Sequence, residues 1–278
     1  MNFEEFIIAN YSIIGLKECA KVLSTTKGKI QTIVTKHKLK VNKKCKSIIL
    51  SNSHIKKQDE HNVNISIFTK NLSKESVYIL GLLWADGYIA KNIKDKKQKY
   101  DINLECVDVD MRYFKTILDN IGTWNYYSRQ RDNNKPSTKA TTNNRELLEY
   151  LTKHNYSNKS IMSPCSIIKT IPNELLKYFL LGVIDGDGCF YFNQKHFLRQ
   201  FTISGSLNQD WTAFENIFTS LGIIYKINRR PNSKNGSSEI RILNKLNIKK
   251  LGDFIYSSIS EDKIGLNRKY VKYLSIVK

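Results

Sequence analysis

The sequence predicts an α+β protein: a small helical N-terminal region, then two tandem helix–strand–strand–helix–strand–strand–helix units. Three observations carry this. One segment is written twice, as Tyr78-Ile-Leu-Gly-Leu-Leu-Trp-Ala-Asp-Gly87 and Phe179-Leu-Leu-Gly-Val-Ile-Asp-Gly-Asp-Gly188, with Asp86 and Asp187 lying 101 residues apart. Helical and alternating apolar spacings follow each copy in the same order. The chain of 278 residues carries 45 basic and 25 acidic side chains, a net charge of +20, beside 41% hydrophobic residues. That excess favours a polyanionic partner, and counterion release makes nucleic acid the natural one.

Residues 1–47 read as a helix-turn-helix. Leu16 to Ser24 has helical spacing at Leu16, Ala20 and Leu23, a break follows at Thr25 to Gly28, and Lys29 to Leu39 is helical again through Ile30, Ile33 and Val34. The turn offers Lys27, and the second helix carries Lys29, Gln31, Thr32, Thr35 and Lys36, all suited to groove and phosphate contacts. Lys38, Lys40, Lys43, Lys44 and Lys46 trail behind. The same pattern also fits an ordinary helical hairpin with a solvated basic face. Residues 48–72 are polar and irregular and read as a linker, and Ser73 suits the N-cap of the next helix.

From Val77 to Ala85 every residue is apolar or Gly, which marks a helix buried on more than one side. Eight residues from Tyr78 to Ala85 are too few to cross a bilayer. Gly81 and Ala85, like Gly182 and Gly186, are spaced i, i+4, so each helix puts two small residues on one face and admits a second backbone closely. Gly87 and Gly188 suit the left-handed residue just past a helix end. Packing through the small residues brings the two C-terminal ends together, and Asp86 and Asp187 with them. Those ends are negative, so two acids there repel unless a cation intervenes. Mg²⁺ takes oxygen ligands and accepts one or two carboxylates completed by phosphates and water. A single Asp-Gly is equally well a plain helix cap; two copies with matching small-residue spacing argue for more. Asp185 points to another face, corresponds to Trp84 in the first copy, and reads as structural.

The first repeat spans 73–168. Tyr88 to Tyr100 and Asp101 to Val107 suggest a hairpin, with Ile102, Leu104 and Cys106 alternating against polar residues. Met111 to Ile121 reads as a helix, Trp124 to Arg131 with Lys139 to Asn144 as a second hairpin, and Arg145 to His154 as the closing helix. The second repeat, 169–278, gives hairpins at Cys189 to Gln194 with Phe197 to Ser204 and at Ile223 to Arg230 with Glu239 to Leu243. Its helices are Asp210 to Leu221 and Ile248 to Ser257. Basic hairpins can enter a major groove, where alternate side chains face base edges. Candidate readers are Lys91, Lys94, Lys99, Tyr126, Arg129 and Arg131, then Asn193, Lys195, Arg199, Lys226, Asn228, Arg229 and Arg241. A solvated surface is the alternative.

The paired segments, Ile79 to Gly87 and Leu180 to Gly188, resemble the two motifs of single-chain LAGLIDADG homing endonucleases. They depart from the motif notably at Trp84 and retain Asp-Gly in both copies. The resemblance covers about Ser73 to the C-terminus. It implies two pseudosymmetric α-β-β-α-β-β-α repeats, with the motif helices as the central interface and two antiparallel sheets as a DNA-binding saddle. It implies that Asp86 and Asp187, with backbone oxygens at Ala85 and Gly186, bind the divalent metal that cleaves one strand each. Mg²⁺ is the expected ion, with Mn²⁺ substituting. Lys159 and Lys269 resemble basic positions late in each family repeat, where a lysine positions the attacking water or stabilises charge; phosphate contact or packing are the alternatives. The implied activity is sequence-specific double-strand DNA cleavage by a monomer in the service of intron or gene homing, with the N-terminal helices extending the contacted site. An intron RNA maturase, or a DNA-binding regulator without catalysis, is the alternative.

Other classes fit poorly. No polybasic amphipathic helix argues for a membrane surface. Five scattered cysteines (Cys19, Cys45, Cys106, Cys165, Cys189) with no C-x-x-C pair disfavour a zinc site or disulfide frame and suit a reducing compartment. The acidic start, Met-Asn-Phe-Glu-Glu, lacks the basic region of a secretory signal, so an intracellular protein is expected.

Overall fold

The computed structural model describes residues 2–42, 66–94, 97–130, 136–233 and 236–278, with backbone alone at 66, 92–94 and 97–99. Contacts divide the chain into two units, Met1–Val63 and Asn64–Lys278. Most of the expected linker, and Lys43, Lys44 and Lys46, lie outside the described residues.

The first unit holds α1 (Phe3–Val22) and α2 (Lys27–Lys36). Asn2 opens α1 with a capping box: Glu5 N donates to Asn2 Oδ1 at 2.9 Å, and Asn2 N donates to Glu5 Oε2 at 2.9 Å. Gly15 adopts φ 74°, so α1 is two helical pieces joined by a residue in a region that glycine enters without steric cost. The unit therefore has three helical pieces where two were expected. The added one, residues 3–14, buries Ile7 and Tyr11 against Cys19, Ala20, Ile30 and Val34. The break falls at 23–26, slightly earlier than expected, and Lys27 begins α2 instead of lying in the turn.

The second unit opens with α3 (Ser66–Thr69) and α4 (Lys74–Asp86). Ser73 caps α4 as expected: Ser76 N donates to Ser73 Oγ at 3.2 Å and Ser73 N to Ser76 Oγ at 3.0 Å. Then come β1 (Gly87–Lys94), β2 (Lys97–Val107), α5 (Asp108–Ile121), β3 (Asn125–Arg129), β4 (Ser137–Thr142) and α6 (Arg145–Lys153). A connection carries 3₁₀ turns at Tyr156–Asn158 and Asn173–Leu175 around α7 (Cys165–Ile168). The second half repeats the order: α8 (Leu176–Asp187), β5 (Gly188–Asn193), β6 (Leu198–Ser206), α9 (Thr212–Ser220), β7 (Lys226–Arg230), β8 (Ser237–Ile242) and α10 (Lys245–Ile255). The chain finishes with α11 (Ile259–Asp262) and α12 (Asn267–Val277).

The sheets have one topology, β1-β2-β4-β3 and β5-β6-β8-β7, with every pairing antiparallel. Equivalent residues build equivalent joints: Asn144 Oδ1 accepts from Leu147 N at 2.9 Å, and Asn244 Oδ1 from Leu246 N at 2.7 Å, each capping the helix after its sheet. Several boundaries differ from expectation: β1 stops at Lys94 and β2 starts at Lys97 where the division was expected at Tyr100, β4 ends at Thr142, β7 starts at Lys226 and α10 starts at Lys245. Helix α5 starts at Asp108, where acids in its first turn meet the positive helix end. Helix α12 follows the expected closing helix and buries Lys269, Tyr273 and Ile276. Its spacing, Tyr270, Tyr273, Leu274 and Val277, is helical in the sequence and was available to reading.

One core joins the halves, and α4 against α8 is its centre. All residues from Ser76 to Trp84 and from Tyr178 to Asp185 are buried. The small-residue faces meet as expected. A Cβ added at Gly81 would lie 2.0 Å from Phe179 O, and one at Gly182 would lie 2.1 Å from Tyr78 O, so each glycine is where the other backbone passes. One step along, a Cβ on Gly186 would reach 2.4 Å from that of Ala85.

The expectation for Gly87 and Gly188 is corrected. Both are extended (φ −80° and −79°), so neither is a left-handed cap. Space is the reason for glycine: a Cβ would come 2.4 Å from Tyr156 Oη at Gly87 and 2.6 Å from Ile184 O at Gly188. Among the described residues, no helix is long and apolar enough to cross a membrane.

Candidate active site

The helix crossing delivers both motif aspartates to one place. A Cβ on Gly186 would lie 3.1 Å from Asp86 Oδ2, so the Asp86 carboxylate rests against the residue that precedes Asp187. Among the described residues, neither carboxylate has a hydrogen-bond or ion-pair partner. Burial raises Asp86 above its ordinary value, against the pull of the Lys159 and Lys269 charges. Asp187 keeps access to solvent, yet the protein packed around it and, second, the Asp86 carboxylate push its pKa up to about 6.

Lys159 and Lys269 occupy matching places under these acids. Lys159 Nζ donates to Ala85 O at 2.5 Å, Trp84 O at 2.7 Å and Leu83 O at 3.3 Å. Lys269 Nζ donates to Ile184 O at 2.6 Å, Asp185 O at 2.7 Å, Gly188 O at 2.8 Å and Gly186 O at 3.2 Å. Each ammonium thus satisfies the last carbonyls of a motif helix, which have no partner within the helix, and sets a positive charge at its negative end. Burial lowers Lys159 to about 8 against the pull of Asp187 and Asp86, and lowers Lys269 against that of Asp185. Asp185 plays the structural part expected. It is buried, accepts from Tyr78 Oη and Leu266 N at 2.8 Å each, and burial pushes it up to about 6.

The donor set fits a hard cation. Two carboxylates without protein partners converge at the helix ends, and oxygen donors suit Mg²⁺ or Ca²⁺; the Ala85 and Gly186 carbonyls, expected as ligands, accept from Lys159 and Lys269. Among the described residues, no three His, Cys, Asp or Glu side chains form a cage, so phosphate and water oxygens would have to complete the coordination.

Strand alternation sorts the other candidates by face. Ile102, Leu104 and Ala140 in the first sheet, and Phe201, Ile203, Ile240 and Ile242 in the second, point into the core. Register then puts Arg129, Lys226, Asn228 and Arg241 on the opposite, outward faces. Glu239 gathers three groups there: Arg230 Nη2 donates to it at 2.7 Å, Asn228 Nδ2 at 3.2 Å, and Arg241 also donates.

Four candidates lie on the helix side by register instead: Tyr126, Arg199, Arg229 and Lys91. Tyr126 donates to Asp119 at 2.7 Å, Arg199 stacks over Phe192 at 4.8 Å, and Arg229 donates to the Leu207 and Gln209 carbonyls. Lys91 shares the side of Ile89, near the hairpin end. Asn193 Oδ1 accepts from the Lys195 backbone at 3.0 Å, so it shapes the turn that carries Lys195. Arg131 and the side chains of Lys94 and Lys99 lie outside the described residues. Sequence reading missed Tyr88, Tyr127, Lys139, Tyr191, Gln200 and Arg230, all outward by register. Counting by twos from the buried residues would have found them.

In the first unit, Lys27, Lys29 and Gln31 are exposed on α2. Lys36 is exposed too, but its Nζ donates to Glu4 Oε1 at 2.8 Å, an oxygen that also meets His37 Nε2 at 2.5 Å.

No family model matches the chain, and no curated protein does. Solved structures do. The homing endonuclease I-WcaI, solved bound to its DNA recognition sequence, matches at 17% identity and a TM-score of 0.51, over 75% of this chain and 91% of that one. The LAGLIDADG homing endonuclease I-LtrWI, bound to target DNA, matches at 17% identity and 0.49, over 73% and 89%. I-DmoI, in complex with DNA and Ca, matches at 16% identity and 0.42, over 69% and 93%.

Proposed function

We propose, from the fold the chain shares with the homing endonuclease I-WcaI, that it is a metal-dependent, sequence-specific endonuclease that cuts both strands of a DNA duplex. The observation that carries this is the meeting of Asp86 and Asp187 at the ends of crossed helices, each end held by a lysine.

Asp86 and Asp187 would hold divalent cations, completed by phosphate and water oxygens, while the Ala85 and Gly186 carbonyls expected as further ligands accept from Lys159 and Lys269 instead; Mg²⁺ is our assignment and Mn²⁺ the natural substitute. Bound there, such an ion supplies Lewis-acid polarisation of a phosphate and a water of lowered pKa. The remaining work belongs to the chain. Carboxylates without protein partners, Asp86 half-buried and Asp187 open to solvent, keep their oxygens available for ligation. Lys159 and Lys269 fix the helix ends that aim those oxygens, and their charges offset the repulsion between the two acids. The outward residues Arg129, Lys226, Asn228 and Arg241, with Lys139 and Arg230, face the duplex and read it. Lys27, Lys29 and Gln31, exposed on α2 of the first unit, are suited to further phosphate and groove contacts.

The test is incubation with Mg²⁺ and a randomised DNA library, with the ends of the products sequenced. On the selected target, Asp86→Asn should keep binding and abolish cutting of at least one strand. Undiminished double-strand cleavage by that variant would refute the assignment.

A further inference from the structure

Resting on that reading, we propose that the two hydrolytic sites are unequal, and that Arg268, clamped by Asp110, is a positioning residue for the Asp86 site alone.

Pseudosymmetry supplies the comparison. Gly87 pairs with Leu104 and Gly188 with Ile203, so Cys106 and Gly205 hold equivalent places on β2 and β6. Asp110 and Asp210 are equivalent at the starts of α5 and α9, each preceding a buried phenylalanine (Phe114, Phe214) by the same interval. Lys159 and Lys269 are equivalent by the carbonyls they hold, so their neighbours Asn158 and Arg268 are too.

In the Asp86 site, Arg268 Nε donates to Asp110 Oδ1 at 2.9 Å and Nη2 to Oδ2 at 2.5 Å. This planar two-bond clamp leaves the guanidinium little freedom. Asp110 is buried while the Arg268 side chain is 54% exposed, so the charge is fixed at its root and open at its face. Asp187 and Gly205 line one cleft, so by the same pseudosymmetry Asp86 faces Cys106 and the start of α5, where the clamp lies; in keeping with this, and beside the larger effect of burial, Asp110 raises and Arg268 lowers the Asp86 pKa.

The Asp187 site has none of this. Asp210 lies against the chain near Asn158, its backbone N donating to Ile161 O at 3.0 Å, but its carboxylate accepts from Thr212 N at 2.9 Å and Thr212 Oγ1 at 2.6 Å. Asn158 brings no charge. Gly205 stands where Cys106 stands in the other half, and a cleft of about 330 Å³ opens there between Trp84, Lys159, Asp187, Ser204, Gly205 and Gln209. One site therefore has an anchored extra cation beside it, and the other has no charge at the matching place. A fixed cation near developing negative charge accelerates its own strand only. The strand served by the Asp86 site is cut first, and the nicked intermediate always carries its break in that strand.

The test uses the full chain, Mg²⁺ and a plasmid bearing the selected target, with the two strands distinguishably labelled. The wild type should nick one strand first, and Arg268→Asn should slow that strand roughly tenfold or more while leaving the other within about twofold. Asp110→Asn should act in the same direction. Asn158→Arg, which puts a guanidinium at the position equivalent to Arg268, should speed the slower strand, a gain that loss of stability cannot imitate. Equal wild-type rates on both strands would overturn the inference. So would an Arg268→Asn variant that slows both strands alike with a lowered Tm, since the pair would then only tie α5 to α12. No cutting of either strand by the wild type would overturn the endonuclease reading and this inference with it.

Discussion

Replacing Gly182 by alanine tests the feature on which the site depends. The new Cβ would sit 2.1 Å from Tyr78 O and 2.7 Å from Leu82 N, both backbone atoms of the opposing helix. Side-chain rotation cannot relieve such contacts. Normal separation near 3.5 Å requires α4 and α8 to part by roughly 1.4 Å. Overpacking of this kind costs about 1–3 kcal/mol, and the backbone on the far side places the cost at the top of that range. Alanine regains about 1 kcal/mol of helix propensity over glycine. The net is a loss of roughly 2 kcal/mol, which lowers Tm by about 4–8 °C for a body of this size.

Activity should fall further than stability. The helices end in Asp86 and Asp187, so parting them moves the carboxylates by a similar distance, and a 1 Å misplacement can cost about 100-fold in rate. The assays are thermal unfolding followed by circular dichroism, and plasmid cleavage at a temperature where the variant is fully folded. A Gly182→Ala protein with wild-type Tm and wild-type cleavage would show that the helices do not cross this closely.

Other substitutions probe the remaining joints. Asp262 accepts from Lys74 Nζ at 2.5 Å and from Tyr178 Oη, pinning the starts of both motif helices. The Lys74 ammonium holds its carboxyl below the usual 3.8, so its stabilisation is complete above about pH 4 and is lost as pH falls through the depressed folded-state value. Asp262→Asn should therefore cost about 1–2 kcal/mol at neutral pH, and its Tm deficit against the wild type should close in strong acid; a deficit that widened in acid would contradict the assignment. Arg241→Ala, on the outward face, should relax target choice at one base pair by about 1–3 kcal/mol, as read by cleavage of a library of single-base variants. Arg199→Ala, on the helix side over Phe192, should leave the same profile unchanged; an equal effect of both would show that the faces are misassigned.

Local pattern went far here because it was written twice. Gly81 with Ala85, and Gly182 with Gly186, are enough to demand two helices in backbone contact, and Asp-Gly at both ends places the acids. Alternation of Ile102, Leu104 and Cys106 marks β2, and Ser73 announces α4. Residues 3–14 and α12 were readable from their spacing and were missed. Other features were not local at all. The face of a short basic strand depends on which neighbour is buried, so Arg229 and Arg230 look alike in sequence and lie on opposite sides of one sheet.

By itself the sequence determined that two buried helices must cross at their small residues, since only a missing Cβ lets backbones approach that closely. Tertiary structure alone decided what surrounds the crossing. Lys159 is 73 residues from Asp86 and Lys269 is 82 from Asp187, and no period in a chain says that an ammonium so distant will bond helix-end carbonyls. Arg268 finds Asp110 across the halves for the same reason. Charge pairs act through space, and their partners are set only when separate segments have packed.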